Sequence, residues 1–116
     1  MSFFDLTGQA ALVTGSATGI GEAAARRLAR AGATVALADI NLAAAEQAAA
    51  AIAAETDGRA FAVAMDVSDP ASVQQAVDTA LARLGKVDIP VNNAGIGGKA
   101  APLWEQTLED WHRAIA

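Results

Sequence analysis

Three short apolar runs, "QAALVTG", "ATVALADI" and "RAFAVAMDV", recur along the chain, each followed by a stretch of helical character. Runs that are apolar on consecutive residues belong to strands buried on both faces, which is the condition of a parallel sheet. A fourth run, "VDIPVNNAG", is expected as a further strand. Pro90 has no amide to donate to a ladder, so this strand belongs at an edge or near its own beginning. The order β-α-β-α-β-α-β, joined by right-handed crossovers, leaves little besides a parallel sheet with helices on both faces.

The segments between the runs carry their own start and stop signals. Ile20, Ala24 and Leu28 form one expected helical stripe, and Val73, Val77, Leu81 and Leu84 form a second. The middle helix, expected over about 42–55, rests on the propensity of alanine more than on pattern. Gly32, Gly58 and Gly85 each follow an expected helix, where a left-handed residue closes the last turn at low steric cost. Asp69 before Pro70 reads as a cap and first helical residue. At the end of the chain, Thr107 and Asp110 resemble a capping box, and Trp111 and Ile115 open an apolar stripe. The expectation is a single domain over 1–116 that ends within this last helix.

Composition removes several function classes. The net charge of −5, with no run of Lys or Arg, offers no footprint for nucleic acid or an anionic membrane. No stretch reaches the eighteen or so uncharged apolar residues that span a bilayer, and Asp5 interrupts the place where a secretory signal would be apolar. With no cysteine there is no disulfide or thiolate chemistry, which is compatible with the expected cytoplasmic location. With His112 the only histidine, no metal site is expected.

Between the first strand and helix lies Gly15-x-x-x-Gly19-x-Gly21. A helix amino terminus offers unpaired amides and partial positive charge to an anion, and glycines clear side chains from the place where a diphosphate meets the main chain. Gly15 would permit the turn, Gly19 the close approach and Gly21 the packing of helix on strand, while Ser16 and Thr18 could add hydroxyls and Ile20 lines the mouth. The same glycines could merely make a tight turn. Asp39, about twenty residues on at the end of the second strand with Ile40 beside it, favours the nucleotide: an acid there accepts from both ribose hydroxyls and repels a 2′-phosphate, which selects NAD over NADP. The alternative is that Asp39 is a solvated loop acid or caps the next helix, although Asn41 could fill the capping role instead. Asp66 and Val67, expected to end the third strand, could meet the adenine; a turn acid ahead of Asp69 is the competing reading. "NNAG" by itself reads as a turn.

Together, "TGSATGIG" at 14–21, Asp39, "DV" at 66–67 and "NNAG" at 92–95 resemble the short-chain dehydrogenase/reductase family in order and separation across essentially the whole chain. The resemblance implies a Rossmann-type doubly wound α/β sheet, incomplete at about four strands. It also implies NAD as cofactor, and Asn93, Ala94 and Gly95 beside the nicotinamide-side ribose. Members of that family transfer hydride between the nicotinamide and an alcohol or carbonyl, using a tyrosine, a lysine, a serine and an asparagine. This chain contains no tyrosine. Neither Lys86 nor Lys99 has the partner the family's Tyr-x-x-x-Lys requires, His112 is expected on the exposed side of a helix, and no catalytic residue is assigned. The leading expectation is the NAD(H)-binding portion of such an oxidoreductase, inactive alone. The alternative is a non-catalytic nucleotide-binding or self-associating module, in which the apolar edge of "VDIPVNNAG" recruits a second copy into a homo-oligomer.

Overall fold

The computed structural model describes residues 5–17 and 19–93. Within them the elements alternate: β1 (Ala10–Thr14), α1 (Gly19–Arg30), β2 (Thr34–Asp39), α2 (Leu42–Glu55), β3 (Ala60–Ala64), α3 (Pro70–Leu84) and β4 (Ile89–Asn92). The strands make one parallel sheet in the order β3-β2-β1-β4. In register, Thr14 lies between Ala38 of β2 and Asn92 of β4. After β1 the chain moves outward through β2 and β3, then returns past β1 to lay down β4. The direction of winding therefore reverses at the β1–β4 boundary, where doubly wound sheets open a crevice at their carboxyl ends. The expected location of Pro90 agrees: among the described residues, β4 is the outermost strand on its side.

Alternate residues of each strand build two cores. Leu12, Ala36, Ala38, Val63 and Met65 pack with Val73, Ala76, Val77 and Ala80 of α3. On the other face Ala11, Val13, Val35 and Leu37 meet Ala25 and Ala29 of α1 and Ala48, Ala49 and Ile52 of α2. The stripe expected of α1 needs correction. Ile20 is 79% exposed, and the buried line is Gly21, Ala25 and Ala29, one residue further round. Periodicity weighs bulk, whereas a helix lying close to a sheet buries its smallest residues, so the large Ile20 and Leu28 fall to the margins.

Local signals act where expected, with two refinements. Asp69 caps α3 through the Ala71 amide, Pro70 is in its first turn, and Gly85 closes it in the left-handed region at φ 81°. Gly58 follows α2, but Asp57 is already left-handed at φ 59°. β3 stops at Ala64, so Asp66 and Val67 lie beyond the strand that was expected to end with them. The Met65 amide still donates to the Asp39 carbonyl, and the chain then turns away into the start of α3. The capping box at Thr107 and Asp110, with Trp111, lies outside the described residues.

Polar ties hold the periphery. Glu55 at the end of α2 accepts from Arg26 and Arg30 of α1, and the Arg30 hydrogen bond is the main reason its carboxyl lies below the ordinary value. Asp88 ties the start of β4 to β1 in both directions: its amide donates to the Ala10 carbonyl at 2.8 Å and its Oδ2 accepts the Ala10 amide at 2.9 Å. The Ala10 bond first, then Lys86, holds the Asp88 carboxyl below 3.8.

Two outcomes are expected. Because the α1/α2 core is built largely of alanine, Ile52→Ala removes much of its large side-chain volume and is expected to cost about 2–5 kcal/mol in denaturant unfolding. A lowered carboxyl pKa stabilises the fold above its unfolded value and ceases to do so as pH falls through the folded value. Asp88→Asn is therefore expected to lower the denaturation midpoint at neutral pH, with the deficit shrinking as the pH drops below 3.8. A deficit that does not change with pH would remove the charge from this account.

Candidate nucleotide-binding site

The carboxyl ends of β1, β2 and β4 meet at the glycine turn. Gly15 has φ 62° and Gly19 φ 65°, conformations that other L-residues adopt at a cost. Gly21 is required for a different reason: a Cβ there would lie 2.0 Å from the Gly15 carbonyl oxygen and 2.9 Å from Asn93 Nδ2. A Cβ on Gly19 would meet nothing within 4 Å. Gly15 thus shapes a bent turn and Gly21 a tight helix-on-strand contact, as expected from the sequence, and Gly19 lies on an open surface.

Side chains stitch this turn to both neighbouring strands. Thr14 Oγ1 donates to Asn92 Oδ1 at 2.9 Å and accepts the Asn93 amide at 3.0 Å, while Asn93 Nδ2 donates to the Gly15 carbonyl at 3.3 Å. On the other side, the Ser16 hydroxyl donates to the Ala38 carbonyl at 3.2 Å and the Ala17 amide donates to Asp39 Oδ2 at 3.0 Å. Thr14 and Ser16 are fully buried. Sequence reasoning missed the clasp of Thr14 and Asn92. Its signal was present, a threonine directly before the first glycine and an asparagine at the end of the fourth apolar run.

The remaining expected site residues occupy the same edge in different ways. Asp39 closes β2, and α2 is capped by Asn41, whose Oδ1 accepts the Ala44 amide at 3.1 Å. The reading of Asp39 as that cap is thereby removed. Ile40 is 71% exposed beside it, and Gly19 and Ile20 are exposed at the mouth of α1. Asp66 Oδ1 accepts both the amide and the hydroxyl of Ser68, the turn geometry of the competing reading, and these bonds lower its pKa. Val67 packs at the margin of the α3 core. The Ser16 hydroxyl, expected to face a phosphate or ribose, is turned inward because a buried hydroxyl takes the nearest carbonyl. Thr18, Ala94 and Gly95 lie outside the described residues, as do Lys99, Trp104 and His112.

Electrostatics favour an anion at this edge. The first amides of a twelve-residue helix point out of the exposed turn. Glu22, the acid of that first turn, is paired with Arg26 at 3.4 Å. A cleft of about 140 Å³ at the opposite edge, lined by Gln9, Thr34, Arg83 and Lys86, is a poorer match for an anion. There Lys86 already pairs with Asp88, Arg83 lies 3.8 Å over the Phe61 ring, and α3 points its carboxyl end.

A sequence profile of the family described as short chain dehydrogenase matches residues 9–116. The chain belongs to the short-chain dehydrogenase family. It is 49% identical to a sorbitol dehydrogenase of Cereibacter sphaeroides over 111 residues, covering 96% of this chain and 41% of that protein. It is 45% identical to a D-threitol dehydrogenase of Mycolicibacterium smegmatis over 114 residues, covering 97% of this chain and 43% of that protein. Among solved structures, the 3-ketoacyl-(acyl-carrier-protein) reductase of Brucella melitensis, complexed with NADH, superposes with a TM-score of 0.76 at 39% identity, over 94% of this chain and 49% of the other. The short-chain dehydrogenase chain described here thus spans less than half the length of these relatives. Its doubly wound parallel sheet is the nucleotide-binding architecture of a family of oxidoreductases. Among the described residues no helix is long and apolar enough to cross a membrane.

Gly19 and Gly21 are expected to respond differently to alanine. Gly21→Ala forces α1 off the Gly15 carbonyl, an overpacking typically costing about 1–3 kcal/mol and displacing the turn. Gly19→Ala costs about 1–2 kcal/mol for the left-handed residue and leaves the core packing in place. Chemical denaturation with NMR shifts for β1 and α1 separates the two: equal, widespread shifts for both variants would contradict the division of roles.

Proposed function

We propose that the chain is the NAD(H)-binding portion of a short-chain dehydrogenase that moves hydride between a nicotinamide and an alcohol or carbonyl substrate. The observation that carries the reading is the exposed amino end of α1, seated on a glycine turn between β2 and β4, with Asp39 beside it. In this reading the amides at Gly19, Ile20 and Gly21 hold the pyrophosphate, with Gly15 shaping the turn and Thr18 adding its hydroxyl, while Ser16, whose amide and hydroxyl both donate to the Ala38 carbonyl, holds the turn in place. Asp39 accepts from the adenosine ribose, and Ile40 and Val67 flank the adenine. The adenine amino group falls to Asp66 Oδ2, since Oδ1 takes the Ser68 donors. Asn93, Ala94 and Gly95 adjoin the nicotinamide-side ribose.

The relatives support the same direction. Two are named for the oxidation of polyols, and one solved neighbour holds NADH. A nicotinamide supplies a hydride acceptor or donor when bound; what this chain's residues supply is its binding and orientation. Without a tyrosine, the chain cannot furnish the acid/base that family resemblance calls for, a term of typically two to four powers of ten. Its 116 residues are therefore proposed to bind cofactor without catalysing hydride transfer by themselves.

Calorimetry with NAD and NADP is expected to show the first bound more tightly, because the Asp39 carboxylate repels a 2′-phosphate. Asp39→Ala is expected to narrow that preference at least tenfold; an unchanged preference removes the ribose assignment. Association of copies belongs to the same proposal, through β4 at the outer edge of the described sheet. A light-scattering mass that stays monomeric across concentration would set that part aside.

A further inference from the structure

The glycine turn is fastened to β2 beyond ordinary strand pairing. The Ser16 amide and hydroxyl both reach the Ala38 carbonyl, at 3.4 and 3.2 Å. The Ala17 amide donates to Asp39 Oδ2 at 3.0 Å, and the Asn41 amide donates to Asp39 Oδ1 at 2.9 Å. Ala17 is 8% exposed, so its amide has little water to turn to if the carboxylate is removed. A carboxylate presents about four acceptor positions. Two amides of this chain take one position on each oxygen, which leaves room for two further donors, the number of hydroxyls on one ribose edge.

We infer that Asp39 is a positioning residue for the phosphate turn as well as an acceptor for the sugar. By holding the Ala17 amide it fixes the turn from Gly15 to Ala17, so one side chain bears on both the diphosphate and the ribose ends of the proposed site. The ribose half rests on the nucleotide reading above; the Ala17 half stands on the chain's own geometry. Asparagine is not a neutral replacement here. It has one oxygen, and its amide group would face one of the two backbone N–H groups donor to donor.

The test is amide hydrogen exchange by NMR on the ligand-free 116-residue chain, with Leu12 in the middle of β1 as internal reference. Ala17 is expected to be protected in the unsubstituted chain and to lose protection at least about tenfold relative to Leu12 in D39N and D39A, the scale of a hydrogen bond to a charged group. An unprotected Ala17 in the unsubstituted chain, or equal protection in the variants, overturns the inference. If Leu12 loses protection in step, the decision passes to the through-hydrogen-bond coupling between the Ala17 nitrogen and the Asp39 carboxyl carbon in the unsubstituted chain: its presence supports the inference and its absence overturns it. Calorimetry with ADP and 2′,3′-dideoxy-ADP then separates the two halves. The variants are expected to bind the dideoxy nucleotide several-fold more weakly than the unsubstituted chain, although it has no hydroxyls to lose. Equal binding would leave Asp39 a sugar acceptor alone and overturn the positioning role. If the unsubstituted chain binds neither nucleotide while Ala17 is protected through Asp39, the nucleotide reading fails and the positioning role stands.

Discussion

Everything at the carboxyl edge of the sheet depends on how closely α1 approaches the end of β1. With 2.0 Å between a notional Gly21 Cβ and the Gly15 oxygen, there is no room for any side chain, and the helix starts directly above the strand that feeds it. That contact sets the first turn of α1 at the carboxyl end of β1, where β1 pairs with the end of β4. Burial of Gly21, Ala25 and Ala29 continues the same close approach down the helix. Small residues here sacrifice apolar area, and the gain is proximity: dispersion and helix electrostatics both fall off steeply with separation.

The turn above this contact is held from both sides by short polar side chains. Thr14 and Asn93 bind it to β4, and Ser16 and Asp39 bind it to β2. Thr14 and Ser16 are buried and Asp39 half-buried, so their bonds are made where an unpaired partner would be costly, while Asn93 makes its bond at the exposed rim. The result is a main-chain turn whose shape is held by the chain's own hydrogen bonds, and in the proposed reading that lowers the ordering cost of binding.

Much of this was legible in the residues. Consecutive apolar runs gave the parallel strands, Asp69-Pro70 and Gly85 bounded α3, and the spacing of the glycines marked the turn. What could not be read was the partner of each polar group. A serine in a phosphate-type turn looks like a phosphate ligand, and only the fold shows that the Ala38 carbonyl lies nearer. Asp66 offered two roles at equal cost until the Ser68 donors were seen against Oδ1. The α1 stripe misled for a related reason: Ile20 carries the strongest apolar signal yet lies on the open side of the helix. Asn41 and Asp39 illustrate the limit well, since either could cap a helix and chain geometry alone decides which does.

Glu55 adds a consequence at the far end of the same helix. By drawing Arg26 and Arg30 of α1 toward the close of α2, it supports the first helix at a second point, well away from the glycine contact. Since exposed ion pairs are weakened by added electrolyte, salt would loosen this outer tie while the buried line of Gly21, Ala25 and Ala29 kept the helix on the sheet.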